Sequence, residues 1–111
     1  MSNFEQLPEF ARELKKLSKK YRSLEKDLRD FEAVISVMPT GAGKNFTIIH
    51  VQEDVKIVKA RLACKTLRDR SMRIIYAYHD ATITFVHIEI YFKGNKENED
   101  RGRIENYLKN L

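Results

Sequence analysis

Cysteine is nearly absent: Cys64 is the single one in 111 residues, which excludes a disulfide framework and a cysteine-based zinc site. Cys64 itself reads as a small buried hydrophobe. Histidine is scarce too. His50, His79 and His87 lack metal-ligand spacing, and no metal or other cofactor is expected. No window offers the ~18 successive apolar residues of a membrane span, and the N-terminal EQLPEFARELKK has no apolar centre of the signal-peptide kind. The expectation is a cytoplasmic protein with no membrane partner. The chain is also short, with room for one compact domain and one modest core.

What is present is charge set against hydrophobicity. Hydrophobic residues make up 42% of the chain and charged ones 33%, a mixture too apolar and too even for a disordered tail. Lys plus Arg outnumber Asp plus Glu by 21 to 16 and the pI is about 9.4, a balance suited to phosphates or to an acidic protein.

Residues 2–6, SNFEQ, suit a short first strand. Pro8 suits a helix start, where its missing N–H is no loss, and Phe10, Leu14, Leu17 and Tyr21 recur at helical spacing. In YRSLEKDLRDFEAVISVM the stripe of Leu24, Leu28, Phe31, Val34 and Ile35 predicts a second helix, antiparallel to the first. After the breakers Pro39 and Gly43 the period changes to two, in FTIIHV, VKIVKARLA, MRIIYAYH and TITFVHIEIYF, with a tight turn at residues 79–81. Beyond the charged KGNKENEDRG, a loop or fraying helix, Ile104, Tyr107, Leu108 and Leu111 predict a last amphipathic helix. The order expected is β-α-α-β-β-β-α, an α+β class in which a helix hairpin packs on a small antiparallel sheet, in one domain over residues 1–111.

The stretch SVMPTGAGKNF resembles a Walker A loop and fails as one. The leading glycine is replaced by Val37 or Met38, and Asn45 stands where a magnesium-holding hydroxyl belongs. A helical pattern precedes the loop and a β-branched run follows it. The length also falls short of a motor domain of roughly 150 residues or more. No nucleotide is expected; Gly41 and Gly43 let a helix end and a strand begin.

Strand parity separates two faces of the sheet. Val58, Ala60, Leu62, Ile74, Tyr76, Tyr78, Val86, Ile88 and Ile90 point to the helix hairpin. Lys59, Arg61, Arg73 and Lys93 point away, together with His87, Glu89 and Tyr91, giving a cationic, aromatic surface suited to an RNA backbone and a stacked base. Such a surface is equally what the solvated outer side of a half-exposed sheet looks like.

The segment VKARLACKTLRDRSMRIIYAYHDATITFVHIEIYFKGNKENED resembles the RelE/ParE superfamily of bacterial toxins, most closely its RelE-like and HigB-like members. They share a Lys-x-Arg strand, a basic turn, an Arg-Ile/Val-Ile-Tyr strand and an apolar strand ending near Y-x-K. The resemblance implies a microbial-ribonuclease-like fold and metal-free mRNA cleavage in the ribosomal A site. It matches Lys59 and Arg61 to the basic pair, Arg73 to the arginine opening RIIY, and Lys93 to the basic residue after the last strand. Lys59, Glu89 and His87 are the candidate general bases in that order, the first through a lowered pKa. Lys65, Arg68 and Arg70 of the basic turn, with His87 and Tyr91, are the expected RNA contacts, and Tyr91 is the expected stacking ring. Ser71 and Met72 replace a Gly-Gly pair common before the arginine. The partners implied are a cognate antitoxin, the ribosome and mRNA. A ParE-like, non-nucleolytic gyrase inhibitor and an RNA- or protein-binding adaptor remain open at this point.

Overall fold

The computed structural model describes residues 3–68 and 70–111. Strand β1 (Asn3–Gln6) leads into the helix hairpin α1 (Pro8–Lys20) and α2 (Leu24–Val37). Then come β2 (Phe46–Gln52), β3 (Val55–Ala63), a 3₁₀ turn (Lys65–Leu67), β4 (Ser71–His79), β5 (Thr84–Phe92) and α3 (Arg101–Lys109). The α+β class and the helix hairpin on a sheet are as expected. The expected first strand begins at Ser2, which lies outside the described residues; Asn3–Gln6 forms it.

The sheet holds five strands, one more than the expected order, because FTIIHV and VKIVKARLA form a hairpin of their own. It is mixed rather than purely antiparallel. Its order is β1-β5-β4-β3-β2, with β1 parallel to β5 and every other pairing antiparallel. A first strand followed by a helix hairpin that crosses one face returns at the far edge, which permits the parallel pairing.

Both faces of the sheet are covered, and this decides where a site can be. On one face Phe10, Leu24, Leu28, Phe31 and Ile35 of the hairpin pack on Val58, Leu62, Ile74, Tyr76 and Phe85. On the other, Ile104 and Leu108 of α3 pack on Val55, Ile57, Ile75, Ala77, Val86 and Ile88. Helix α3 is short, so it covers only the half of its face where these apolar residues lie.

A bulge in β5 reverses part of the expected parity. Ile75 pairs with Glu89 and the next residue, Tyr76, with His87, so Ile88 is the extra residue. Val86 and Ile88 therefore face α3 rather than the hairpin, while Ile90 faces the hairpin as expected. The residue displaced from the outer face is His87.

Candidate functional site

Beyond the end of α3 the outer face of the sheet turns polar on three strands at once. Lys59 sits across from Ile75 and Ile75 from Glu89; one layer on, Arg61 sits across from Arg73 and Arg73 from Tyr91. Two guanidinium residues facing one another on adjacent strands repel, and an anion between or over them would relieve that repulsion. Burial and the neighbouring Arg61 both pull the Arg73 pKa below its ordinary value. Its guanidinium is oriented by Nη1 donating to Ser71 Oγ at 2.8 Å, so the serine that replaces a glycine in the resembling family has a contact of its own.

Two adjoining cavities of about 450 and 310 Å³ share Arg61, Arg73 and Lys93, which makes them one groove. One end is closed by Arg70, whose guanidinium lies 5.8 Å from the Phe92 ring centre. The other holds Lys59, Glu99, Lys44 and Asn45. Among the described residues, Lys44, Arg61, Arg73 and Lys93 form no ion pair.

Lys59 has a carboxylate partner: its Nζ donates to Glu99 Oε1 at 2.8 Å. That contact raises the lysine pKa above its ordinary value and depresses that of Glu99. Lys59 is thus a firmer ammonium than a free lysine, the opposite of the lowered pKa expected for a base.

The other expected residues divide. Glu89 is on the predicted face but fully buried, one carboxylate oxygen accepting from Lys96 Nζ and the other from the Asp100 amide at 2.7 Å. It anchors the start of α3 and does not reach the groove. His87, carried by the bulge to the hairpin face, is fully buried with Nε2 2.8 Å from Glu32 Oε2 and its ring stacked on Phe10. It is a core residue. Tyr91 shares the outer face, yet the residue is only 5% exposed, too little to stack on a base. Lys65 lines a neighbouring cavity on the α2 side with Arg61. Arg68 is an exposed turn residue at φ 58°, and it lines neither half of the groove.

Glu99, Lys44 and Asn45 escaped the sequence reading because each lies in a loop with no periodicity. Only the charge clustering of KENED gave any signal for Glu99.

The architecture can be compared directly. A chain from the archaeal RelE–RelB complex of Pyrococcus horikoshii OT3 superposes with a TM-score of 0.64 over 84% of this chain and 96% of that one, at 15% identity. The fold is RelE-like. No protein-family model matches the sequence, and no curated protein matches it significantly. What the RelE-like frame holds in common is therefore backbone architecture, and the chemistry rests on the groove that this chain's own side chains build. No helix among the described residues is long and apolar enough to cross a membrane.

Proposed function

We propose that this chain is the toxin of a toxin–antitoxin pair, an endoribonuclease that cuts mRNA in the ribosome and so stops translation. The observation that carries the reading is the groove in which Arg61, Arg73 and Lys93 converge with no carboxylate partner among the described residues. A phosphodiester supplies the missing anion, and the planar fork of arginine grips two of its oxygens.

In this reading the ribose 2′-oxygen attacks the neighbouring phosphorus and the 5′-oxygen departs, leaving a 2′,3′-cyclic phosphate and a 5′-hydroxyl. Arg61 and Arg73 neutralise the charge that builds on the non-bridging oxygens. Glu99, the carboxylate lining the groove, accepts the 2′-hydroxyl proton; once neutral it no longer holds the Lys59 ammonium, which is then free to supply a proton to the leaving oxygen. Glu89 and His87 take no part, being buried and engaged elsewhere. The silencing partner is an antitoxin that covers the basic groove or displaces α3, in keeping with a neighbour of this fold solved as a RelE–RelB complex.

The test is purified protein added to a translating extract with end-labelled mRNA. Cleavage within the reading frame is expected, with cyclic phosphate ends. Arg73→Ala should slow single-turnover cleavage about 100-fold or more, as for loss of one preorganised donor, and Arg73→Lys should recover only part of it. Intact mRNA with altered DNA supercoiling would transfer the case to a gyrase inhibitor. Intact mRNA bound tightly by the protein would make it an adaptor.

A further inference from the structure

The loop from α2 to β2 carries PTGAGKN, the stretch that looks like a nucleotide-binding loop but sits between a helix and a strand in the wrong order. It is nevertheless held in a definite place. The buried Tyr76 hydroxyl donates to the Pro39 carbonyl at 2.8 Å, and the Gly41 amide closes a turn on Met38 at 2.8 Å. Gly41 lies at φ 68° flat against the Phe46 ring, where a Cβ would stand 2.1 Å from a ring carbon. At the loop's far end the Asn45 carbonyl accepts from the Arg61 amide at 3.0 Å, tying it to the strand that bears the groove's cations.

The result is that Lys44 and Asn45, distant in sequence from the basic strands, form one wall of the same groove as Lys59, Arg61, Arg73 and Lys93. Lys44 is exposed and forms no ion pair among the described residues. An ammonium on a flexible stem, beside rather than within the arginine pair, suits a phosphate next to the one that reacts.

We infer that Lys44 is a subsite residue: it binds a phosphate flanking the scissile one and so fixes the register of a single RNA strand along the groove. The inference rests on the RNA reading above. Asn45 extends the wall with an amide that can donate to a sugar or phosphate oxygen.

The test measures the affinity of a fluorescent single-stranded RNA oligonucleotide of mixed sequence for the full chain, at a series of salt concentrations. Each phosphate contact on a single strand contributes about 0.7 to the slope of log affinity against log salt. Lys44→Ala should therefore flatten the slope by about 0.7 and weaken binding about fivefold near 0.1 M salt. Lys44→Arg should restore both. Lys26→Ala, which removes a lysine paired with Asp30 on α2 outside the groove, should leave the slope as it is.

If Lys44→Ala keeps the parent's slope and affinity while the parent binds RNA, the subsite is overturned and the functional reading stands. An equal change in Lys26→Ala would reduce the effect to net charge and also overturn it. A parent chain that binds no RNA at any salt would overturn the subsite, while the functional reading is decided by the cleavage test in the translating extract.

Discussion

At the residue scale, the same type of side chain takes opposite roles according to its partner. Arg61 and Arg73 face each other on adjacent strands with no carboxylate partner among the described residues, whereas Lys59 has one in Glu99. The Lys59–Glu99 pair has a definite pH signature. The folded Glu99 pKa is depressed, so its contribution to stability is complete above the unfolded carboxyl value of about 4.3 and is lost as pH falls through the folded one. The Lys59 pKa is raised, so its contribution is complete below about 10.4 and is lost as pH climbs through the folded value. Glu99→Gln should therefore lower the urea midpoint at pH 7, with the gap to the parent closing toward pH 3. The same variant should cut cleavage about 100-fold if Glu99 accepts the proton. A gap as wide at pH 3 as at pH 7 would show that the pair does not titrate as described.

At the element scale, the basic turn after β3 owes its position to the junction between α1 and α2. Asp27 is 5% exposed, and its Oδ2 accepts from Ser23 Oγ at 2.7 Å and from the Lys65 amide at 3.1 Å. Ser23 Oγ in turn accepts from the Thr66 amide at 3.0 Å. The 3₁₀ turn is thereby fastened to the hairpin before the chain reaches Arg70 at the mouth of the groove. Asp27→Ala leaves the part-buried Lys65 amide without its acceptor and the Ser23 hydroxyl with Thr66 Oγ1 instead, which should cost about 1 kcal/mol. Amide exchange should speed up in residues 65–67 more than in β4. Uniform exchange across both would place the Asp27 contribution in the whole domain instead of the turn.

At the scale of the whole molecule, the two helical layers meet around the sheet edge. Strand β1 pairs with β5 only from Thr84 to His87, and past that point the side of β5 away from β4 has no strand beside it among the described residues. There Arg103 of α3 donates from both terminal nitrogens to Glu13 of α1, at 2.9 and 2.8 Å. The same pair covers the open edge at the bulge: Arg103 Nη1 donates to the Ile88 carbonyl at 2.8 Å and Glu13 Oε1 accepts from the Ile90 amide at 3.3 Å. Two opposed charges substitute for a missing strand and hold α3 where the groove begins. Arg103→Ala should destabilise by about 2–3 kcal/mol, since a partly buried carboxylate and a carbonyl lose their donor. In a double-mutant cycle with Glu13→Ala, the losses should fall short of additive by at least about 0.5 kcal/mol. Additive losses would mean that the two helices are held independently.

The sequence by itself determined the class, the helix hairpin and the parity of β3 and β4. Hydrophobic period is a local property, and Lys59, Arg61 and Arg73 needed nothing else to fall on one face. It also marked Cys64 as buried, as it is, because a lone thiol behaves as a small apolar group. The tertiary structure alone decided the fate of β5. A bulge adds one residue without altering the alternation of residue types, so nothing in TFVHIEIYF tells that His87 turns into the core while Glu89 and Tyr91 stay on the outer face and are buried there. The same holds for Glu99 and Lys44, which reach the groove from loops 40 and 15 residues away from Lys59 in sequence. Period constrains the residues within an element; which loops close over its end depends on how the elements pack.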